Sequence, residues 1–598
     1  MLKTKISRLY YQTKDTIFKI INIIKFLDRR HLNKLFFLII SMITGAIVEL
    51  LFLVSFSSFI RIILNNGLLT QEVISNSGFN YYYFNIINFF SKYTESYIIA
   101  NSIVFIFLAL ITLSVRLLTL RISFIETGKI GSFIETKCGE SLMKVPYNQY
   151  KNFNISKLLT DFNNIPKFVS NIFQSGIQSL SSLIIIIFLT IYIKQRSDSL
   201  FILAFFLLAL IYISTLLINI KKLKSLSKKN KKLLNQKTAN INFIVRMFRN
   251  ILLAQTESKT TKNYSSIVSS IYLYNAQGLL ISGSPKIVIE YSAIIAVSIL
   301  LIIQSIIYGP AQSVETTGIF LIALLRILPS LQIIYVFLAK IIKSRFVIES
   351  VYDLLNLPKI EKINFLNKNL VNSSENISSI QLKNISFKYS AKDTYVIKNF
   401  SYEFLAGKSY AIVGTSGSGK STLIDVILNL LVPQKGRITL NKKLELSNEN
   451  NFDNIAFLRS NTLLIGQNDF YCGDRIKDIL EMTLQDEKNE YFLKKLKEGI
   501  NYLKINEIFE KNFFESFIGE NGSKISGGQR QRILLLKAFL SKKNILFFDE
   551  ALSSLDEVTK NFVIEFLFSS KFFTNNKIMI FSTHSKIVAN SCDEIIRI

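Results

Sequence analysis

The sequence predicts a multidomain membrane protein: a six-helix all-α transmembrane domain followed by an α/β domain built around a phosphate-binding loop. Three observations carry that expectation. The 598 residues are 49% hydrophobic with a mean hydropathy of +0.33, too long for one ordinary domain and too apolar for a purely soluble chain. Apolar runs at 35–60, 97–118, 172–193, 200–218, 287–308 and 319–342 each approach the ~20 residues a helix needs to cross the hydrocarbon core. The stretch AIVGTSGSGKST at 411–422 then sets a glycine-rich loop between a strand-like run and a helix-like one.

Residues 1–34 come first. They hold nine lysines and arginines against Asp15 and Asp28, and TIFKIINIIKFLDRR (16–30) suits a helix lying in the membrane interface. Residues 221–237 hold eight lysines and no acid, and the two stretches supply 15 of the net charge of +29. Both flank apolar runs, so the charge marks a membrane face and argues against a nucleic-acid surface. An even number of spans puts both ends on one side. The loop 62–96 has Lys92 as its one cation and 308–318 has none, so the N-terminus and the lysine-rich stretches belong in the cytoplasm. No short apolar core with a small-residue cleavage site opens the chain, and the N-terminus is expected to be retained. Cys138, Cys472 and Cys592 are far apart and form no CxxC pair, which implies neither a disulfide framework nor a cysteine metal site.

The transmembrane domain is assigned to 35–345. Its long connections at 119–171 and 219–286 keep apolar residues at helical spacing and read as helical extensions into the cytoplasm. A polar, turn-rich linker is expected over 346–378, and from 379 to 598 short β-type runs alternate with helical ones, as in an α/β domain with phosphates at its strand ends.

Within that domain Gly414, Gly419, Lys420 and Ser421 fit the pattern GxxxxGK[ST]. The loop Gly414, Thr415, Ser416, Gly417, Ser418, Gly419 would wrap its backbone N–H groups around the phosphates of ATP, with Thr422 following on the helix. Lys420 would neutralise the β/γ charge and Ser421 would ligate Mg²⁺. NILFFDE at 544–550 sets Asp549 at a strand end as a second Mg²⁺ ligand, with Glu550 beside it to orient water.

KISGGQRQR (524–532) resembles the LSGGQ signature of ATP-binding cassette (ABC) ATPases, with Ile525 in the leucine position. The resemblance extends over 379–598. It implies that Tyr389 stacks on adenine, that Gln467 in LLIGQNDF touches Mg²⁺ or the attacking water, and that Glu520 in IGENG senses the membrane domain. It also implies that Asp556 closes the D-loop and that His584 in IMIFSTHS reaches the γ-phosphate. Gly466, Leu552 and Ser554 depart from the usual residues without removing a catalytic group. In this family Ser526, Gly527, Gly528 and Gln529 of one copy complete the ATP site of another, so a homodimer of half-transporters with the type IV exporter fold is implied.

IVELLFLVSFSSFI (47–60), PKIVIEYSAI (285–294) and LLRILPSLQII (324–334) resemble spans of bacterial lipid-linked oligosaccharide flippases and their polysaccharide-export relatives. That resemblance implies an ATP-driven flippase acting on an amphipathic, lipid-linked substrate across the bacterial inner membrane. Glu49, ~21 Å above the inner end of its span, and Arg326, ~10 Å below the outer end of its own, fall at similar depth. They are expected to pair or to meet a polar substrate group. Arg116, near the cytoplasmic end of its run, is expected to snorkel, and Pro329 to hinge the last span. Competing expectations are an exporter of lipid, peptide or drug and, at a greater distance, a soluble ABC ATPase acting on nucleic acid. No peptidase-like segment precedes the first span, which disfavours a peptide-processing exporter.

Overall fold

The computed structural model describes residues 2–64, 78–94, 97–196, 199–308, 310–359, 376–389, 394–446, 452–466, 475–480, 489–505, 516–519, 524–569 and 576–598. The chain divides into two compact units, residues 1–145 with 153–359, and residues 146–152 with 360–598.

All regular secondary structure among the first unit's described residues is helical. The unit contains α1 (Leu2–Lys25), α2 (Arg29–Leu64), α3 (Gly78–Thr94) and α4 (Tyr97–Met143), the sequence passing next through α5 (Tyr147–Tyr150) of the second unit. It resumes with α6 (Ile155–Phe162), α7 (Ile165–Phe168), a π-turn over Val169–Gln174, and α8 (Ser175–Arg196). α9 (Ser199–Leu253), α10 (Glu257–Tyr308), α11 (Pro310–Lys343) and α12 (Arg345–Leu355) complete it. Six helices among the described residues are long and apolar enough to cross a membrane. α4, with 47 residues, is ~70 Å long, more than twice a ~30 Å hydrocarbon core, so the helical extensions expected from the sequence are continuous with the spans.

The expected linker 346–378 does not begin as one. α12 is amphipathic and buries Phe346, Val347, Ile348, Val351, Leu354 and Leu355 against Ile23 and Leu27 of the N-terminal region and against Ile130, Ile134 and Cys138 of α4. A helix with so wide an apolar face needs a core to cover it, whereas the polar composition that marks a linker starts only after Pro358.

The second unit holds two sheets. An antiparallel one, ordered β2-β1-β4-β5, uses β1 (Ser379–Phe387), β2 (Ile397–Leu405), β4 (Lys435–Leu440) and β5 (Leu444–Glu445). A parallel one, ordered β6-β7-β8-β3-β9, uses β3 (Ser409–Val413), β6 (Thr462–Gly466), β7 (Ile545–Asp549), β8 (Ile578–Ser582) and β9 (Glu594–Arg597). β7 and β8 are apolar along nearly their whole length because helices cover both faces of a parallel sheet. The helices are α13 (Lys420–Ile427), α14 (Phe452–Ser460), α15 (Ile476–Ile479), α16 (Glu490–Tyr502), α17 (Gly527–Leu540), α18 (Glu557–Leu567) and α19 (Lys586–Ser591).

Gly436, at the start of β4, has φ +88°, and a Cβ there would lie 2.4 Å from the Lys383 carbonyl oxygen and 2.5 Å from that of Asn384. Backbone cannot step aside as a side chain can. Gly436→Val is therefore expected to cost about 3 kcal/mol or more, seen as a lowered thermal midpoint of the second unit. An unchanged midpoint would mean that β1 and β4 separate more easily than their pairing implies.

Candidate functional site

The parallel sheet brings the sequence-predicted ATP residues together at the C-terminal ends of its strands. β3 runs into the loop 414–419, where Gly417 (φ +83°) and Gly419 (φ +104°) take left-handed backbone that L side chains rarely adopt. Gly419 caps α13, so the helix begins at Lys420 with its N-terminal N–H groups turned toward the loop. At Gly414 a Cβ would meet Ser418 Oγ at 2.5 Å and the Ile598 carbonyl at 2.6 Å, so the loop closes only on glycine.

Lys420 is 6% exposed, and its Nζ donates to the carbonyls of Gly414 and Thr415 at 3.0 Å each. The same Nζ lies 3.1 Å from His584 Nε2, which lies 3.3 Å from Glu550 Oε1. Nε2 can accept from the lysine only when it carries no proton and can donate to the glutamate only when it does, so it serves one partner at a time. β7 and β8 pair in register, Asp549 beside Ser582, which sets Asp549, Glu550 and His584 on adjacent strand ends. Glu550 itself sits at φ +52°, with its N–H bonded to the Ser582 carbonyl at 3.0 Å. A non-glycine residue held in that region costs ~1 kcal/mol or more and persists only where its surroundings fix it.

Ser421 is exposed at the start of α13 and Asp549 is half-buried. A hydroxyl and a carboxylate are hard oxygen donors of the kind Mg²⁺ takes alongside phosphate oxygens, so the donor set fits that ion. Thr422 Oγ1 shares a hydrogen bond with the Tyr389 hydroxyl at 2.8 Å. Tyr389 is 52% exposed and rests edge-on against Phe387. Gln467 and Glu520 lie outside the described residues.

The signature group is built as a helix start. Ser526 Oγ accepts from the Gln529 N–H at 3.2 Å while Gln529 Oε1 accepts from the Ser526 N–H at 2.9 Å, a reciprocal cap on α17. Gln531 clasps Ser554 through two hydrogen bonds of 3.2 Å, tying this helix to the loop that ends at Asp556. Asp556 caps α18 by accepting from the Thr559 N–H at 3.0 Å, and its pKa is lowered first by a hydrogen bond with the Thr559 side chain and then by this N–H bond. Among the described residues no hydrogen bond joins Ser526, Gly527, Gly528 or Gln529 to the phosphate loop of the same chain.

One member was not foreseen. The short segment 146–152 packs with the ATP-binding unit, Tyr147 against its core and Lys151 Nζ 2.6 Å from Asp425 Oδ2 on α13. Lys151 also lies over the rings of Tyr147 (4.9 Å) and Tyr389 (5.8 Å). Burial opposes its charge, but the Asp425 carboxylate outweighs burial and raises its pKa; burial likewise holds Asp425 above the usual carboxylate range despite the lysine. Lys151→Met would leave that carboxylate without a counter-charge. It is expected to cost about 1–3 kcal/mol, read as a lower thermal midpoint that Asp425→Asn in the same chain restores.

In the membrane unit Glu49 accepts a hydrogen bond from Arg116 and forms an ion pair with Arg326. Its side chain is 5% exposed, and Oε1 lies 3.3 Å from Arg116 Nη1 and 3.4 Å from Arg326 Nε. The snorkelling expected of Arg116 is thus corrected. The exposed apolar surface of α4 does not stop at 118 but continues through Leu120, Phe124 and Ile125, interrupted by the exposed Arg121, as far as the Lys34–Glu126 pair at 3.4 Å. Arg116 is ~15 Å along its helix from Glu126.

Comparison with known proteins agrees with this anatomy. Residues 397–553 match the family model described as ABC transporter. Over 361 residues the chain is 30% identical to the ATP-dependent lipid A-core flippase of Wigglesworthia glossinidia brevipalpis, covering 56% of each. It is 31% identical over 269 residues to a lactococcin-G-processing and transport ATP-binding protein of Lactococcus lactis, covering 42% of this chain and 37% of that one. The chain thus spans about half the length, or less, of these curated relatives. A solved bacterial Atm1-family ABC exporter with ATP bound superposes with a TM-score of 0.70 over 96% of this chain and 94% of that one, at 15% identity. Six apolar helices followed by a domain that matches the ABC transporter model give the chain the fold of the ABC exporter it superposes on.

Proposed function

We propose that the protein is an ATP-driven exporter, working as a homodimer in the bacterial inner membrane with its ATP-binding unit in the cytoplasm. The observation that carries this reading is the meeting of Lys420, Asp549, Glu550 and His584 at one sheet edge in a chain with six membrane-length helices. Lys420 offsets phosphate charge, Glu550 orients and deprotonates water, and His584 passes contact between them. Mg²⁺ would be held by Ser421 and Asp549, with Gln467 as the third ligand the family resemblance implies, and would supply further charge neutralisation. The signature group of one copy would complete the site of the other, so that ATP closes the pair and hydrolysis reopens it.

The substrate is proposed to be amphipathic, a lipid-linked oligosaccharide or polysaccharide precursor. A plain lipid substrate is the second reading, favoured by the similarity to relatives named lipid A-core flippases. Translocation of a labelled polyprenyl-pyrophosphate oligosaccharide into proteoliposomes, with Glu550→Gln as blank, tests the first. ATP-dependent movement by the unaltered protein supports it. Movement of a phospholipid alone would replace it with the second.

A further inference from the structure

Proline leaves a helix one donor short. In α10 the N–H missing at Pro285 is the one that would close on the Ile281 carbonyl one turn earlier, yet the helix runs unbroken from Glu257 to Tyr308. The freed carbonyl is buried, and its bond comes from another helix. Tyr335 of α11, 3% exposed, donates its hydroxyl to the Ile281 carbonyl at 3.1 Å. Gln332, one turn earlier on α11, donates Nε2 to the neighbouring Ser282 carbonyl at 3.2 Å. α9 braces both donors: the Tyr212 hydroxyl donates to Gln332 Oε1 at 3.1 Å, and its ring lies 5.6 Å from that of Tyr335.

This part of α10 is weak by composition. Gly278 and Gly283 are poor helix formers, and Ser282 Oγ turns back onto the Gly278 carbonyl at 2.8 Å, a bond that bends helices. Lys343 Nζ adds a bond to the Asn275 carbonyl at 3.4 Å, so three side chains of α11 reach backbone carbonyls of α10 between 275 and 282. Gln332 and Tyr335 also follow Pro329 of α11 by less than two turns, which sets the donors beside the joint expected in their own helix. A purely structural contact needs neither the proline nor the donors, because an alanine at 285 would satisfy the same carbonyl within the helix. A carbonyl bonded across to a neighbouring helix has two discrete arrangements, held and released.

We infer that residues 278–285 of α10 are a hinge and that Tyr335 and Gln332 of α11 are its latch. The latch holds α10 as it stands here and lets go of it in the other access state of the transport cycle. The hinge belongs to the membrane unit alone; its use in transport rests on the exporter reading above.

The test uses the full chain in nanodiscs, with Pro285→Ala, Tyr335→Phe and the two combined. Hydrogen–deuterium exchange is followed without nucleotide. Tyr335→Phe is expected to speed exchange over 282–290 by at least ~5-fold while 257–270 stays unchanged, since it strands the Ile281 carbonyl at the weak segment. Pro285→Ala returns the N–H that serves this carbonyl, so adding Tyr335→Phe to it is expected to change exchange by less than ~2-fold. Equal acceleration with and without the proline would overturn the latch and show lost packing instead. No acceleration in the single variant would overturn it too. If Pro285→Ala does not fold, Pro285→Leu brings the same N–H and decides by the same comparison. ATP turnover is measured on the same nanodiscs. Pro285→Ala is expected to lower its maximal rate by ~3-fold or more at an unchanged half-saturating ATP concentration, because a stiffened α10 slows the change of access and leaves nucleotide binding alone. An unaltered rate would overturn the hinge's part in transport. Absence of turnover in the unaltered chain would overturn the exporter reading, while the exchange comparison still decides the latch.

Discussion

Glu550→Gln is expected to lower ATP hydrolysis by at least ~100-fold while nucleotide affinity stays within a few-fold of the unaltered protein. The glutamine keeps the size of the side chain, so the left-handed backbone at φ +52° and the N–H bond to Ser582 are retained. It removes the one carboxylate that faces His584 at 3.3 Å and stands next to Asp549 at the strand end. Lys420 and the glycine loop are untouched, so the groups that hold phosphate remain. Phosphate release and equilibrium binding of a fluorescent ATP analogue, measured on the same preparation, separate the two effects. Full hydrolysis in the variant would remove Glu550 from the role of base. Loss of binding as well would show instead that the carboxylate organises the loop through His584.

The candidate ATP site was legible because its chemistry is local. Nine residues from Gly414 to Thr422 carry both the strand-to-helix turn and the charge that meets phosphate, and the helix cap at Ser526 is likewise written in four consecutive residues. What joins His584 to Glu550 is the parallel pairing of β7 with β8, which only the motif order along the family pattern anticipated. Lys151 gave no signal, since its partner Asp425 lies far along the chain and the contact depends on which unit the segment 146–152 packs against. Arg116 was misplaced for a different reason. Arg116 and Arg121 break the run of apolar residues, so a composition window ends the span there. In the helix, the exposed apolar residues Leu117, Leu118, Leu120, Phe124 and Ile125 continue past both. A charge that faces a partner inside the bundle interrupts a hydropathy profile without ending the membrane.

Glu49→Leu is expected to destabilise the membrane unit by about 1–3 kcal/mol, because it leaves two partly exposed cations facing each other with no counter-charge. The larger share of that cost is the stranded charge, not the lost attraction. Removing all three charges together, as Arg116→Leu, Glu49→Leu and Arg326→Leu, should therefore recover most of the folded yield, since apolar side chains of similar volume replace a buried ion cluster at little cost. Thermal unfolding of both variants in one detergent provides the comparison. A triple variant no more stable than Glu49→Leu would mean that the cluster orients α2, α4 and α11 through contacts that leucine cannot supply. Recovery of stability bears on function as well as on folding. If the fold does not need the charges, the chain retains two arginines and a glutamate in the hydrocarbon layer for another purpose.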